Sequence, residues 1–194
     1  EHFNSPSETQ NDSFKSVSRY FDRITRPEQI LTSLPQAINV MLDPADCGPA
    51  VISMSQDVQG EAYDYPEIFF EEKIHEIRRI HPDPNQIQKA ADKLKQSKQP
   101  IIISGGGVLY SEAEEEISAF AKKHNIPVTA TVMGIGCMNK DDPYYISAIG
   151  CLGEGSSNNL ATDTDLALAV GTKLGDFTTG SWTNFENENF QLVS

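Results

Sequence analysis

The 194 residues hold 28 Asp and Glu against 15 Lys and Arg, a formal net charge of −13 at pH 7. That balance, with no basic stripe, argues against a nucleic-acid or anionic-membrane partner. No apolar run approaches the ~20 residues needed to span a bilayer, and the length suits one to two globular domains.

Taken in chain order, Glu1 to about Ser18 has no periodicity and reads as an irregular lead-in without the apolar core of a signal peptide. Thr25 to Asp43 reads as a helix. Thr25 and Glu28 fit a capping box, and Ile30, Leu34, Ile38, Met41 and Leu42 share one face. Pro35 is expected to kink or split it. Pro49 to Met54 is a strand, and Gln56 to Pro84 a crossing segment punctuated by Pro66, Pro82 and Pro84. Asn85 to Ser97 is a helix expected to bury Ile87, Ala90, Ala91 and Leu94. Strands are expected at Pro100, at Ile126 to Thr131 and at Leu166 to Val170, with helices from Ser111 to Asn125 and from about Gly155 to Ala161. Asn139 to Gly150 reads as loop, Gly171 to Asn189 as a polar loop, and Phe190 to Ser194 as the start of a strand.

The run from Gln99 to Ile117 is the most informative. Ile101, Ile102 and Ile103 form a β-branched block without polar alternation, as in a strand buried on both faces. Gly105, Gly106 and Gly107 permit a tight turn and close approach of another group. Ser111 is placed to cap the next helix, with Glu114 at the capping-box position. Strand, glycine turn and helix start make half of a doubly wound unit, whose ligand crevice lies at the strand's carboxyl end. The same glycines also serve as a plain tight connection, since no full G-x-G-x-x-G is present. The fold class read here is α/β, a doubly wound, Rossmann-like parallel sheet preceded by a partial α/β piece.

The linker through Ile80 to Pro84 marks the boundary. Residues 1–65 form the end of one domain, 66–82 a linker, and 83–194 a second domain cut short at its carboxyl end. Residues 1–65 hold too few elements for a core of their own. With no initiator Met and an unfinished last strand, the chain reads as a piece of a longer polypeptide. Cys47, Cys137 and Cys151 are odd in number and lack metal-site spacing, which points to reduced thiols in the cytoplasm.

Phe21–Ile30, Ser55–Gln59, Pro100–Gly107, Val128–Gly134 and Ala169–Gly180 resemble, in that order, thiamine-diphosphate enzymes of the acetohydroxyacid-synthase type. Val17–Ile24, Glu61–Pro66 and Gly175–Trp182 resemble one branch of that family, whose members open the ring of a cyclic dione in inositol breakdown by C–C hydrolysis. The resemblance implies that residues 1–65 end a pyrimidine-binding domain and that 83–194 are most of a central domain. Thiamine diphosphate and Mg²⁺ are then expected in the full-length protein and none in this piece. Its partners are the remaining pyrimidine and diphosphate domains, a small cyclic dione, and a second copy in a homo-oligomer. The family's catalytic Glu and its Gly-Asp-Gly metal motif fall outside the chain, so no catalytic residue is carried over.

Gly105, Gly106, Gly107, Thr131, Met133, Gly171, Thr172 and Lys173 match the family's nucleotide groove, which holds FAD in the synthases and ADP in a decarboxylase. Two departures oppose a flavin. Gly171-Thr172-Lys173 stands where the synthases carry Gly-Ala-Arg, and Gly175-Asp176-Phe177 where they carry Asp-Asp-Arg. Lys cannot reproduce the planar Arg fork. A vestigial groove that packs domains together is favoured. A sister carboligase or decarboxylase, or a free-standing nucleotide-binding module, remains as the alternative. His75, His81, His124 and the pair Asp141-Asp142 read as ordinary surface, helix-end and turn residues. Trp182 and Phe185 in a polar loop read as a contact surface.

Overall fold

A computed structural model of the protein describes residues 3–5 and 7–194, which divide into two compact units with the boundary between His81 and Pro82.

In the first unit, β1 (Phe3–Ser5) and β2 (Glu8–Thr9) pair antiparallel and lead into a 3₁₀ helix, Gln10–Val17. The expected irregular lead-in is thus organised, by a contact that local pattern does not reveal. Arg23 donates to Thr9 Oγ1 at 2.7 Å and to Asp12 Oδ1 at 2.8 Å, while Asp12 accepts the Thr9 N–H at 2.8 Å. The Thr9 amide, then Lys15 and Arg23, hold the Asp12 carboxyl far below the usual range.

Arg23 belongs to β3 (Tyr20–Ile24), a strand that carries no clear sequence signal because Asp22 and Arg23 interrupt it. Asp22 is accommodated by tertiary partners, accepting from Ser33 Oγ and, at 3.1 Å, from Tyr20 OH. β3 pairs in parallel with β4 (Ala50–Met54). Between them a 3₁₀ turn, Pro27–Gln29, runs into α1 (Ile30–Met41). The reach-back side chain is Gln29 rather than Glu28: its Oε1 accepts from the amides of Thr25 and Arg26 at 2.7 and 2.9 Å. α1 continues unbroken through Pro35. Its buried positions are Ser33 and Ala37, while Leu34 and Met41 are exposed. Ser33 faces β3 through its hydrogen bond to Asp22, and of the predicted apolar stripe Ile30, Ile38 and Leu42 are half-buried. After α2 (Gln56–Gln59) and a 3₁₀ turn at Glu67–Phe69, residues 71–81 are exposed and without regular structure.

That exposure makes a direct test. Trypsin is expected to cut first at Lys73 and Arg78, leaving a resistant product that begins near residue 74 or 79. First cuts inside residues 84–194 on a digestion gel would contradict the two-unit organisation.

The second unit opens with α3 (Pro84–Gln96), capped by Asp83, which accepts the Asn85 amide at 2.7 Å. Then follow β5 (Pro100–Ser104), α4 (Gly106–Tyr110), α5 (Glu114–His124), β6 (Val128–Ala130), β7 (Tyr145–Ala148), α6 (Gly155–Asp163), β8 (Leu166–Val170), α7 (Asp176–Thr179) and β9 (Gln191–Val193). The five strands form one sheet in the order β7-β6-β5-β8-β9, every pair parallel. One face packs Ile102, Val128 and Ala130 against Val108, Ile117 and Ala121 from α4 and α5. The other packs Ile101, Ile103 and Ala167 against Ala161 of α6 and Ile149. The β-branched block of β5 is buried on both faces, as a central parallel strand requires.

Three expectations change here. Ser111 does not cap a helix, because the glycine run itself coils into α4; Ser111 ends α4, and Ala113 is the residue before α5. Residues 139–150 are not all loop: β7 forms at the sheet edge, with Val128 N–H bonded to Tyr144 O at 2.8 Å. No residue of α3 is buried, and Ile87 is 51% exposed.

Candidate functional site

From β5 the chain builds β6 and β7 to one side, then crosses β5 to place β8 on the other. The loops after β5 and β8 therefore leave side by side at the carboxyl edge of the sheet, where open α/β folds place ligands. A groove of about 420 Å³ lies there. The structure brings the predicted residues together: Gly106, Gly107, Thr131, Met133, Gly171, Thr172 and Lys173 all line it, and Gly105 packs beneath.

The glycines answer to the neighbouring loop. Gly107 N–H donates to Gly171 O at 2.8 Å and Gly105 N–H to Val170 O at 2.9 Å. A Cβ on Gly107 would fall 2.6 Å from Gly171 Cα, and one on Gly105 2.7 Å from Thr172 Cα. Gly171 itself has φ +57°, a left-handed turn that an L side chain strains. Two amides of the kind that could cradle a phosphate are thus already bonded to protein carbonyls. Thr131 N–H is likewise spent on Ser104 O at 2.9 Å.

Lys173 is the one cation among the lining residues, and the mouth is apolar: Met133, Tyr110 and Phe177 are exposed by 67, 79 and 70%. A diphosphate here would meet a single ammonium and few unpaired amides. Phe177 was legible as a departure from the family, whereas Tyr110 and Gly134 were not singled out. Gly134 lets the 3₁₀ turn at Val132–Gly134 lie on β5, since its Cβ would fall 2.8 Å from Ser104 C.

Asn158 on α6 secures the adjoining loop. Its Oδ1 accepts Gly150 N–H at 2.9 Å, its Nδ2 donates to Gly150 O at 3.0 Å, and Asn184 Nδ2 reaches the same Oδ1 at 3.2 Å. This side chain acts as a strand-like partner to Gly150, whose φ is +98°. Asn158→Ala is expected to cost about 1.5 kcal/mol, from several net hydrogen bonds partly replaced by water. An unchanged urea midpoint would remove Asn158 from that role.

No nucleophile emerges at the groove. Cys137 is fully buried beside Ser104, and burial pushes its thiol up, so it stays S–H. Ser104 Oγ is buried with no partner of hydrogen-bond geometry. Asp142 is a turn residue: it accepts the Tyr144 amide at 3.0 Å and pairs with Lys122 at 2.9 Å, and these two hold its carboxyl low. His124 ends α5 and packs on Phe120, and His75 and His81 lie in the exposed segment. Among the described residues, no group of three His, Cys, Asp or Glu could hold a metal, and no helix is long and apolar enough to cross a membrane. Trp182 packs on Phe185, which stacks on Phe190 at 4.4 Å.

Comparison with known proteins agrees with this architecture. Residues 87–194 match the family model described as thiamine pyrophosphate enzyme, central domain. The chain is 43% identical over 186 residues to 3D-(3,5/4)-trihydroxycyclohexane-1,2-dione hydrolase of Clostridium tetani, covering 96% of this chain and 29% of that protein. It is 42% identical over 184 residues to 3D-(3,5/4)-trihydroxycyclohexane-1,2-dione hydrolase 1 of Bacillus cereus and 41% to the Bacillus thuringiensis protein, at 95% of this chain and 29% of each relative. The chain thus spans less than a third of the length of the curated relatives it matches.

Proposed function

Because the chain belongs to the thiamine pyrophosphate enzymes, whose central domain its residues 87–194 match, we propose that it is part of a thiamine-diphosphate- and Mg²⁺-dependent hydrolase. The substrate is a trihydroxycyclohexane-1,2-dione, opened to 5-deoxyglucuronate in inositol breakdown. The observation that carries this reading is identity above 40% over nearly the whole chain to proteins named for that hydrolysis. In the reaction one ring C–C bond breaks. The bond that breaks joins the two carbonyl carbons: one takes hydroxide from water and becomes the carboxylate, and the other keeps the electron pair, takes a proton and becomes the aldehyde, while the ring CH₂ is carried through unchanged. Thiamine supplies the electron sink when bound.

No side chain of this chain is assigned a catalytic step. Residues 1–65 are proposed as the end of the pyrimidine-binding domain, joined to the central domain through 66–82. The central unit acts as a scaffold, and its groove at Gly105–Gly107, Thr131, Met133 and Gly171–Lys173 packs domains rather than holding a nucleotide. The bonded amides of Gly105, Gly107 and Thr131, the single lining cation and an apolar mouth support that assignment. The working enzyme is proposed as a cytoplasmic homo-oligomer, in keeping with the unpaired Cys47, Cys137 and Cys151.

The test is turnover by a full-length protein containing this chain. Consumption of the dione that requires added thiamine diphosphate and Mg²⁺ is expected, with a colourless protein. Carboligation or decarboxylation of a 2-oxo acid without dione turnover, or a flavin band surviving gel filtration, would favour the sister-enzyme reading instead. The 194-residue chain alone is expected to show no micromolar thiamine-diphosphate binding by calorimetry.

A further inference from the structure

Far from the glycine groove, α3 lies loosely over the sheet. Its apolar stripe, read from sequence as core, does not close onto β5, β8 and the end of α5. A cavity of about 590 Å³ remains between them. Its floor is Ile87, Ala91, Leu94, Phe120, Ile126 and Leu168. That volume lies within the ~300–1,000 Å³ range of small-molecule sites, which are mostly apolar with a few polar groups at the rim.

The rim is cationic in an acidic protein. Lys95, Lys98 and His124 line the cavity, whereas Lys93 and Lys122, in the last turns of the same two helices, turn away to Gln191 and Asp142. Those positions also offset the helix dipoles, which accounts for some of the clustering. Counter-charges take up part of it: Lys122 pairs with Asp142, and Lys95 reaches Asp92 at 3.8 Å with both side chains more than half exposed. Among the described residues no carboxylate pairs with Lys98 within 4.0 Å. The cavity is therefore apolar inside and positive at one end.

We propose that this α3–α5 cavity binds a small amphipathic carboxylate, with an acyl chain on the Leu94–Phe120–Leu168 floor and the carboxylate at Lys98 and Lys95. The site is separate from the groove at the carboxyl edge and takes no part in the proposed hydrolysis. A chain of that kind covers the apolar face that α3 leaves open, and its head group complements the unpaired ammonium.

Calorimetric titration of a full-length protein containing this chain with octanoate, decanoate and dodecanoate, each below its micelle concentration, tests the proposal. Affinity should rise about fourfold for each added CH₂ until the cavity is filled. Lys98→Glu should weaken decanoate binding roughly fivefold, the scale of exposed charge pairs. Ala91→Trp, designed to fill the cavity, should abolish binding while circular dichroism stays native. Decanol should bind more weakly than decanoate. The absence of decanoate binding at 1 mM would overturn the site. So would binding indifferent to both Ala91→Trp and Lys98→Glu, which would mean adsorption elsewhere. Equal affinity for decanol would overturn the carboxylate assignment.

Discussion

Gly105→Ala is expected to lower the free energy of unfolding by about 3 kcal/mol, at the upper end of overpacking costs. The new methyl would sit 2.7 Å from Thr172 Cα and closer still to Gly171 O, both parts of a neighbouring loop backbone. Relief would require the β5 and β8 loops to separate, which breaks the Gly105–Val170 and Gly107–Gly171 hydrogen bonds together. Gly175→Ala is the control. That residue has a negative φ of −95°, and nothing lies within 4 Å of its Cβ position, so a change within about 0.5 kcal/mol is expected. Urea denaturation of the two variants separates the explanations. Equal midpoints would show that the glycine run is not there for loop packing and would reopen a ligand-facing role.

Asp165→Ala is expected to cost about 2 kcal/mol, because hydrogen bonds to a charged acceptor exceed neutral ones. One carboxylate ties the turn between α3 and β5 to the foot of β8. It accepts from Ser97 Oγ, from Lys98 N–H at 2.8 Å and from Gln99 N–H at 3.1 Å. Burial works to raise its carboxyl, but the Ser97, Lys98 and Gln99 donors outweigh it and hold the group below its ordinary value. A depressed folded value gives stability that is present in full above the ordinary carboxylate value of about 3.9 and is lost as pH falls through the folded one. The stability gap between the native chain and Asp165→Asn should accordingly stay constant from about pH 7 to pH 5 and shrink below about pH 4. A gap that widens on acidification would mean the carboxylate is not stabilised by these donors.

The groove at the carboxyl edge was readable in outline because its residues are adjacent in sequence or tied to strand ends. A buried strand such as Ile101–Ile103 followed by glycine needs no tertiary information to be recognised. What those glycines do was not readable. Gly107 and Gly171 are 64 positions apart, and only the fold shows that each one's Cβ would meet the other's backbone. The same limit explains β3, where Asp22 becomes tolerable inside a strand through Ser33 and Tyr20, and the amino-terminal 3₁₀ helix, pinned by Arg23.

By itself, then, the sequence determined the class of the fold, the parallel strands at β5, β6 and β8, and the family. These follow from local periodicity and from runs of residues in order along the chain. Tertiary structure alone decided which face of α1 is buried, that α3 covers the sheet incompletely, and that the Gly105, Gly107 and Thr131 amides are already bonded. Each of these depends on partners distant in sequence, whose packing and hydrogen bonds override local preference.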